Sequence, residues 1–386
     1  MSGSGAKSGP LCGLAVIEMA GLGPAPFAGL MLAEMGARVL RVERLGAARD
    51  FLATPPRFDL DRHGRDCIRL DLKRPEGVAL LRRLAETADV LIEGFRPGVM
   101  ERFGLGPDDL AAINPRLVYG RMTGYGQTGP LSSRAGHDLT YLALTGALAA
   151  IGPKDGRPVP PLNLVADYGG GAMFLLTGIL AALVERGLSG RGQVIDAAMV
   201  DGASMLAAPF FGFLATGFWT EKRGANLLDS GAPFYDTYET ADGRHVAVAC
   251  LEPRFFAEFA RMLPLAEPFA SRQYDAKLWA AMRAAIAARI GERTRDDWDA
   301  LFAGTDACVA PVLTFTEAGD HPHNRARHTH VKIGDLSRPA PAPRFSRTPA
   351  EVAGPTMRDG TAEALARLGL DEAEIAALRA KGVIGE

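Results

Sequence analysis

Neither sign of charge is in marked surplus: 43 Lys and Arg against 45 Asp and Glu leave a formal net charge of -2. Chains that grip a nucleic-acid backbone carry a basic excess or a basic stripe, so no nucleic-acid partner is expected. Cysteine is sparse too. Cys12, Cys67, Cys250 and Cys308 lie far apart and form no CxxC pair. That argues against a disulfide framework and for free thiols in a reducing compartment. Long apolar runs are missing: the greasiest stretch, 172–184, is short for a bilayer and is interrupted by Thr177 and Gly178. It reads as a buried core helix, with no membrane partner expected. The opening MSGSGAKSGP has no apolar signal-peptide core and reads as a tail outside the fold. A cytoplasmic location is the matching expectation, and no internal repeat is visible.

What is present is ample core material. The 386 residues are 47% hydrophobic, enough for two or three domains. Residues 14–19 (LAVIEM) form a short apolar run like a buried parallel strand. GLGPAP follows, then a helical stretch at 27–35 and a second strand at 37–44. This βαβ pattern predicts a doubly wound α/β domain. Gly21 and Gly23 make half of a dinucleotide fingerprint, but Pro26 stands where its third glycine belongs, which disfavours nicotinamide or flavin. CIRLDLKRPEG predicts a strand followed by cations. DVLIE is another strand, followed by the loop GFRPGVMERFGLGP, and RLVYGRMTGYG another that runs into glycines. A helix is expected over 137–151 and an irregular approach, GPKDGRPVPPLNLVADYGGG, before the apolar helix. The texture changes near 220–231, a hairpin is expected around 241–243, and helices dominate 253–301. CVAPVLTFTEA is read as the return to the first domain.

Chemistry concentrates between Arg121 and Gly171. His137 and Asp167 sit on separate helix-opening loops, where one group can remove a proton from a carbon acid while the other returns one. Histidine titrates near neutrality as a residue type; burial would raise the pKa of Asp167 while the following helix would lower it. Backbone N–H groups at Tyr168, Gly169 and Gly170 are candidates to hold an oxyanion, because glycine lets backbone approach a ligand closely. Taken singly, such a histidine more often serves packing and such an aspartate more often caps a helix. His321, His323, His328 and His330 invite a metal reading, but they lie among arginines with no carboxylate or cysteine at ligand spacing. No metal is expected.

The segments GLAVIEMAGLGPAP, EMGARVLRVER, DLKRPEG, DVLIEGFRPGVMERFGLGP, RMTGYGQTGP, GHDLTYLALTG, PPLNLVADYGGGAMFLLTGILAALVER, GRGQVIDAAMVDG, GAPFYDTYETADG and APRFSRTP, in this order, resemble the family III CoA-transferases. Within them they resemble the racemase branch acting on 2-methylacyl-CoA. The likeness covers nearly the whole chain from Leu11. It implies a large Rossmann-like domain built from both chain ends (11–220 and 311–386) and a smaller α/β domain at 221–310. It also implies an intertwined homodimer with the active site at the subunit interface, acyl-CoA as substrate, and no cofactor besides the CoA that the substrate carries.

The same resemblance assigns roles. Asp167 matches a carboxylate that transferases use as a nucleophile and racemases pair with a histidine at the position of His137. The presence of His137 points to the racemase branch, with His137 facing the 2S ester and Asp167 the 2R ester. Glu252 matches a carboxylate expected to orient His137 across the dimer. CoA contacts carry over to Arg44 on the 3'-phosphate side, Leu70, Lys73, Gly94, Phe95, Arg96, Arg102 and the loop from Gly136 through Asp138 to Tyr141. Arginine and lysine suit the phosphate charges of CoA, and Asp138 is expected to anchor its loop. Met205, Leu206, Phe210, Phe211 and Trp219 are candidates for an apolar surface along the acyl chain. The expected activity is interconversion of 2R and 2S thioesters through an enolate. CoA transfer is the alternative, and a binder of CoA esters without turnover is a third reading.

Overall fold

The computed structural model describes residues 8–46, 54–355 and 361–385. Its chain forms two compact units. The first gathers the described parts of 1–145, 162–206 and 328–386, and the second 146–161 and 207–327.

The first unit opens with β1 (Ala15–Met19), α1 (Pro24–Glu34), β2 (Arg38–Arg44) and β3 (Arg65–Leu70). Then come α2 (Pro75–Ala85), β4 (Val90–Glu93), two short helices, α3 (Val99–Arg102) and α4 (Pro107–Ala111), and β5 (Val118–Thr123). β1 (AVIEM) and β4 (VLIE) are near-continuous apolar runs, as central strands of a parallel sheet are, whereas β2 and β3 carry charged residues among their apolar ones. Beyond β5 the helix expected over 137–151 is two pieces, α5 (Asp138–Leu142) and α6 (Ala147–Ala150), with α6 already in the second unit. The break falls at Gly146, whose φ of 83° ends helical geometry. The chain returns as a π-helical segment, Leu164–Ala172, running straight into α7 (Met173–Ser189), then β6 (Val194–Ala198) and α8 (Met199–Leu206).

The second unit holds α9 (Ala208–Ala215), the hairpin β7 (Tyr235–Glu239) and β8 (His245–Ala249), then α10 (Pro253–Met262), α11 (Trp279–Ile290) and α12 (Arg295–Phe302). Strand β9 (Val309–Pro311) pairs antiparallel with β8, so CVAPVLTFTEA completes this unit's sheet and does not lead back to the first. After α13 (Phe315–Ala318) and α14 (Pro322–Ala326) the chain rejoins the first unit at 328 with the hairpin β10 (His330–Ile333) and β11 (Leu336–Pro339). It closes with α15 (Thr361–Arg367), α16 (Glu372–Ala380), capped by Asp371 as expected, and β12 (Ile384–Gly385).

In the first unit the sheet runs β12-β3-β2-β1-β4-β5-β6, all parallel except β12. Strand order reverses between β1 and β4, and ligands of such sheets bind at that switch, outside the carboxyl ends of the strands. The core beneath it includes Leu81, Leu91, Met100, Leu105 and Leu110, all fully buried; each contributes about 1.5–3 kcal/mol.

The π-helical segment and α7 form one continuous helix of 26 residues, long and apolar enough by length and composition to cross a membrane. This corrects the shorter, interrupted run read from sequence. It also corrects the reading of 172–184 as a buried core helix, since Val184 at its end is 72% exposed and Leu188 one turn on is 89% exposed.

Candidate active site

The loop after β1 is the floor of the site. Gly23 takes φ 71° and precedes α1, whose N1 and N3 positions are prolines without N–H donors. A phosphate would find little to hold it there, in keeping with the missing third glycine. The start of α1 faces the π-helical segment instead: a Cβ on Gly23 would lie 3.4 Å from Asp167 Oδ2, and one on Gly171 would lie 3.1 Å from the Pro24 side chain. Buried ionic contacts fix the loop. Glu18, with no exposure, fills the notch at Gly29 and binds Arg65 at 2.8 Å and Arg41. Arg65 also donates to the carbonyl of Pro26, and Arg41 to that of Gly21 at 3.5 Å.

Asp167 lies within the π-helical segment and is half-buried. In that geometry each N–H bonds the carbonyl five residues back, as Met173 does to Tyr168. Tyr168, Gly169 and Gly170, the expected oxyanion donors, all lie within this segment. The glycines serve packing. A Cβ on Gly170 would collide with the backbone of Ala203, and one on Gly202 would collide with the Gly170 carbonyl, so α8 crosses the segment backbone to backbone. Asn163 donates to Asp167 Oδ2 at 3.2 Å. Burial pushes the Asp167 carboxyl above its ordinary range. The Asn163 hydrogen bond opposes this, Asp138 adds to it, and His137 opposes it. Of the two effects weighed from sequence, burial prevails.

His137 is exposed and precedes α5 in extended conformation. Its N–H donates to Thr140 Oγ1 at 3.0 Å, and its carbonyl accepts from Thr140 Oγ1 at 2.8 Å. Thr140 N–H also bonds that carbonyl, so the first-turn donors that remain for a ligand are those of Asp138 and Leu139. Asp138 is buried, and its Oδ2 accepts the N–H groups of both Ala166 and Asp167 at 2.8 Å. It therefore ties two stretches of chain together, and its expected loop-anchoring role has a concrete form. Tyr141 slots against Gly124 and Gly136 and meets Tyr125 edge-on at 4.9 Å. Burial, Tyr125 and Asp167 push its hydroxyl up to about 12, and Arg96 pulls the other way.

The other expected CoA residues gather at the carboxyl ends of the strands. Arg44 ends β2 and pairs in register with Leu70, which ends β3 and is buried; Lys73 follows, exposed. Gly94, Phe95 and Arg96 follow β4. The N–H of Phe95 donates to Glu93 at 2.7 Å, and Arg121 bridges Glu93 and Glu101 at 3.0 and 2.8 Å. Arg102 is exposed at the end of α3. Glu252 belongs to the second unit, where it is exposed ahead of α10. Trp219 is buried and stacks edge-on with Phe210 at 4.9 Å, which makes it packing material, whereas Phe211, Met205 and Leu206 stay exposed. Among the described residues no group of three or more His, Cys, Asp or Glu is placed to hold a metal ion. Sequence reasoning missed Asn163 and the Glu18–Arg41–Arg65 cluster. The spacing of Asn163 four residues ahead of Asp167 was the available signal for the first.

The sequence profile of CoA-transferase family III matches residues 11–358. A mouse protein named alpha-methylacyl-CoA racemase is 45% identical over 379 residues, covering 97% of each chain. Its human namesake is 42% identical, again over 97% of each chain. Among solved structures, a CaiB/BaiF family protein from Brucella suis aligns with a TM-score of 0.81 at 29% identity, covering 95% of this chain and 100% of that one.

Proposed function

The chain belongs to CoA-transferase family III, and from that premise we propose that it is an enzyme interconverting the 2R and 2S forms of 2-methylacyl-CoA thioesters. The observation that carries this reading is a histidine and a half-buried carboxylate, His137 and Asp167, tied together through Asp138, which follows His137 and accepts the Asp167 N–H, beside the loop after β1. A racemase needs one base on each face of the α-carbon. His137 takes or returns the proton on the face of the 2S ester, and Asp167 does so on the face of the 2R ester. A carboxyl held above its ordinary range is a stronger base when ionised and a usable acid when protonated, which suits both directions of transfer. The enolate oxygen is placed toward the N–H groups of Asp138 and Leu139.

CoA lies along Arg44, Leu70, Lys73, Gly94, Phe95, Arg96 and Arg102, with the Gly136 to Tyr141 loop at its thioester end. Glu252 orients His137 from a second copy of the chain. The exposed apolar side chains of α7, Val184 and Leu188, support such a dimer. The reaction needs no cofactor beyond the CoA of the substrate, since proton removal and return leave the oxidation level unchanged.

The test is incubation of one pure enantiomer of a 2-methylacyl-CoA in heavy water with no free acid present. Racemisation with uptake of α-deuterium is expected. The second reading, CoA transfer with Asp167 as nucleophile, rests on the carboxylate alone. It replaces the first if no exchange occurs and CoA passes to a carboxylic acid once one is added.

A further inference from the structure

We propose that Asp138 is a positioning residue for the reaction, a buried and unneutralised carboxylate that clamps the loop of His137 to the segment of Asp167 and holds its charge against the Asp167 carboxylate. The inference rests on the two-base reading above and deepens it. Asp138 directly follows His137 and is only 5% exposed. Its Oδ2 accepts two N–H groups, those of Ala166 and Asp167, at 2.8 Å each. Its Oδ1 is buried and finds no donor among the described residues. Nor does any Lys, Arg or His side chain among them form an ion pair with it. A neutral acceptor would make the same two hydrogen bonds. Keeping a buried charge that nothing neutralises costs stability, so capping alone does not account for a carboxylate here.

The clamp also sets the Asp138 carboxylate beside Asp167, whose carboxyl is pushed upward by burial first and by Asp138 in addition. The groups facing Asp167 can be enumerated by element. His137 and Tyr141 accompany Asp138 on and beside α5, and Asn163 donates from the start of the π-helical segment. Packed against the same segment, α1 carries its one charge, Glu34, at its far end; α7 carries Glu185 and Arg186 far along; α8 carries Asp201; β5 carries Arg121, engaged by Glu93 and Glu101; and β6 carries Asp196, which accepts the Gln127 N–H. Asp138 is thus the carboxylate placed to keep Asp167 protonatable while fixing its backbone relative to His137.

The test uses Asp138→Asn and Asp138→Ala in the full chain, with two readouts. The first is a carbon-13 NMR titration of the Asp167 carboxyl, assigned with Asp167→Asn. Asp138→Asn is expected to move its midpoint to lower pH, and an unmoved midpoint overturns the proposal whether or not the protein racemises anything. The second is kcat and kcat/KM for α-deuterium exchange against pH. Asp138→Ala is expected to lose roughly 10- to 100-fold in kcat through misplacement of the bases. Asp138→Asn is expected to recover much of that loss and to carry the acid limb of the profile downward. If Asp138→Asn is as impaired as Asp138→Ala with the limb unmoved, Asp138 is only a structural cap. If Asp138→Ala does not fold, Asp138→Asn and the titration still decide. A wild-type protein without exchange on any 2-methylacyl-CoA defeats the functional reading alone, because the titration judges the coupling separately.

Discussion

Asp167 illustrates a carboxylate kept in surroundings that disfavour its charge. Its raised folded-state value means that the stability tied to its protonated form is fully present below about pH 3.9, the unfolded carboxylate value, and is lost as pH rises through the folded one. Asp167→Asn keeps an acceptor for Asn163 and removes the penalised charge. Calorimetry at pH 7 should therefore show a higher Tm than wild type, with the gain closing as pH falls toward 4; a lower Tm at pH 7 would contradict the assignment. In catalysis the same shift places the acid limb of kcat/KM above the range of an ordinary aspartate. His137→Ala and Asp167→Ala should each abolish racemisation, and isotope exchange with separate enantiomers should retain exchange at one face only. At this scale His137 and Asp167 could be nominated from sequence, because residue type and motif context single them out as candidates. Asp138 as a double acceptor was not, since it meets Ala166 and Asp167 only when two distant stretches fold together.

Elements show a similar division. Parallel strands β1 to β5 could be read from sequence, and their starts shift by a residue or two at most. The π-helical segment could not. A five-residue hydrogen-bond spacing leaves no mark in hydrophobic periodicity, and Leu164–Ala172 contains three glycines that read as loop. Its reason is tertiary: glycine at 170 and 202 lets two helical backbones touch. Gly170→Ala or Gly202→Ala should cost about 3 kcal/mol or more through forced separation of the segments, measurable by urea unfolding, with activity falling in step as Asp167 is displaced. Glu18 makes a second case. Glu18→Gln removes the buried carboxylate that Arg41 and Arg65 share, leaving Arg41 its weaker pairing with Glu43 at 3.4 Å, and should cost about 3–5 kcal/mol; chemical denaturation that finds less than 1 kcal/mol would show the loop to be held by other means.

For the whole molecule, sequence gave the sense of a Rossmann-like domain completed by the chain's end, and the sheet order β12-β3-β2-β1-β4-β5-β6 has that form. The boundaries expected at 220 and 311 differ from the observed crossings at 206/207 and 327/328, because α9 lies in the second unit and β9 pairs with β8 in that unit's sheet. If the exposed face of α7 is covered by a second copy, Val184→Glu with Leu188→Glu should give monomers by sedimentation and reduce activity at least tenfold; an unchanged oligomer would remove α7 from the interface. The excursion of 146–161 has a further consequence. Between His137 and Asp167 the chain leaves one unit, is held in the other by Arg223 on the carbonyls of Ala149, Pro153 and Gly156, and returns. The two units therefore cannot be traded between genes by one insertion: a recombinant must exchange two separate stretches, and the first lies between the two bases. Descent with the partner unit is thus written into the same stretch of gene that carries the chemistry.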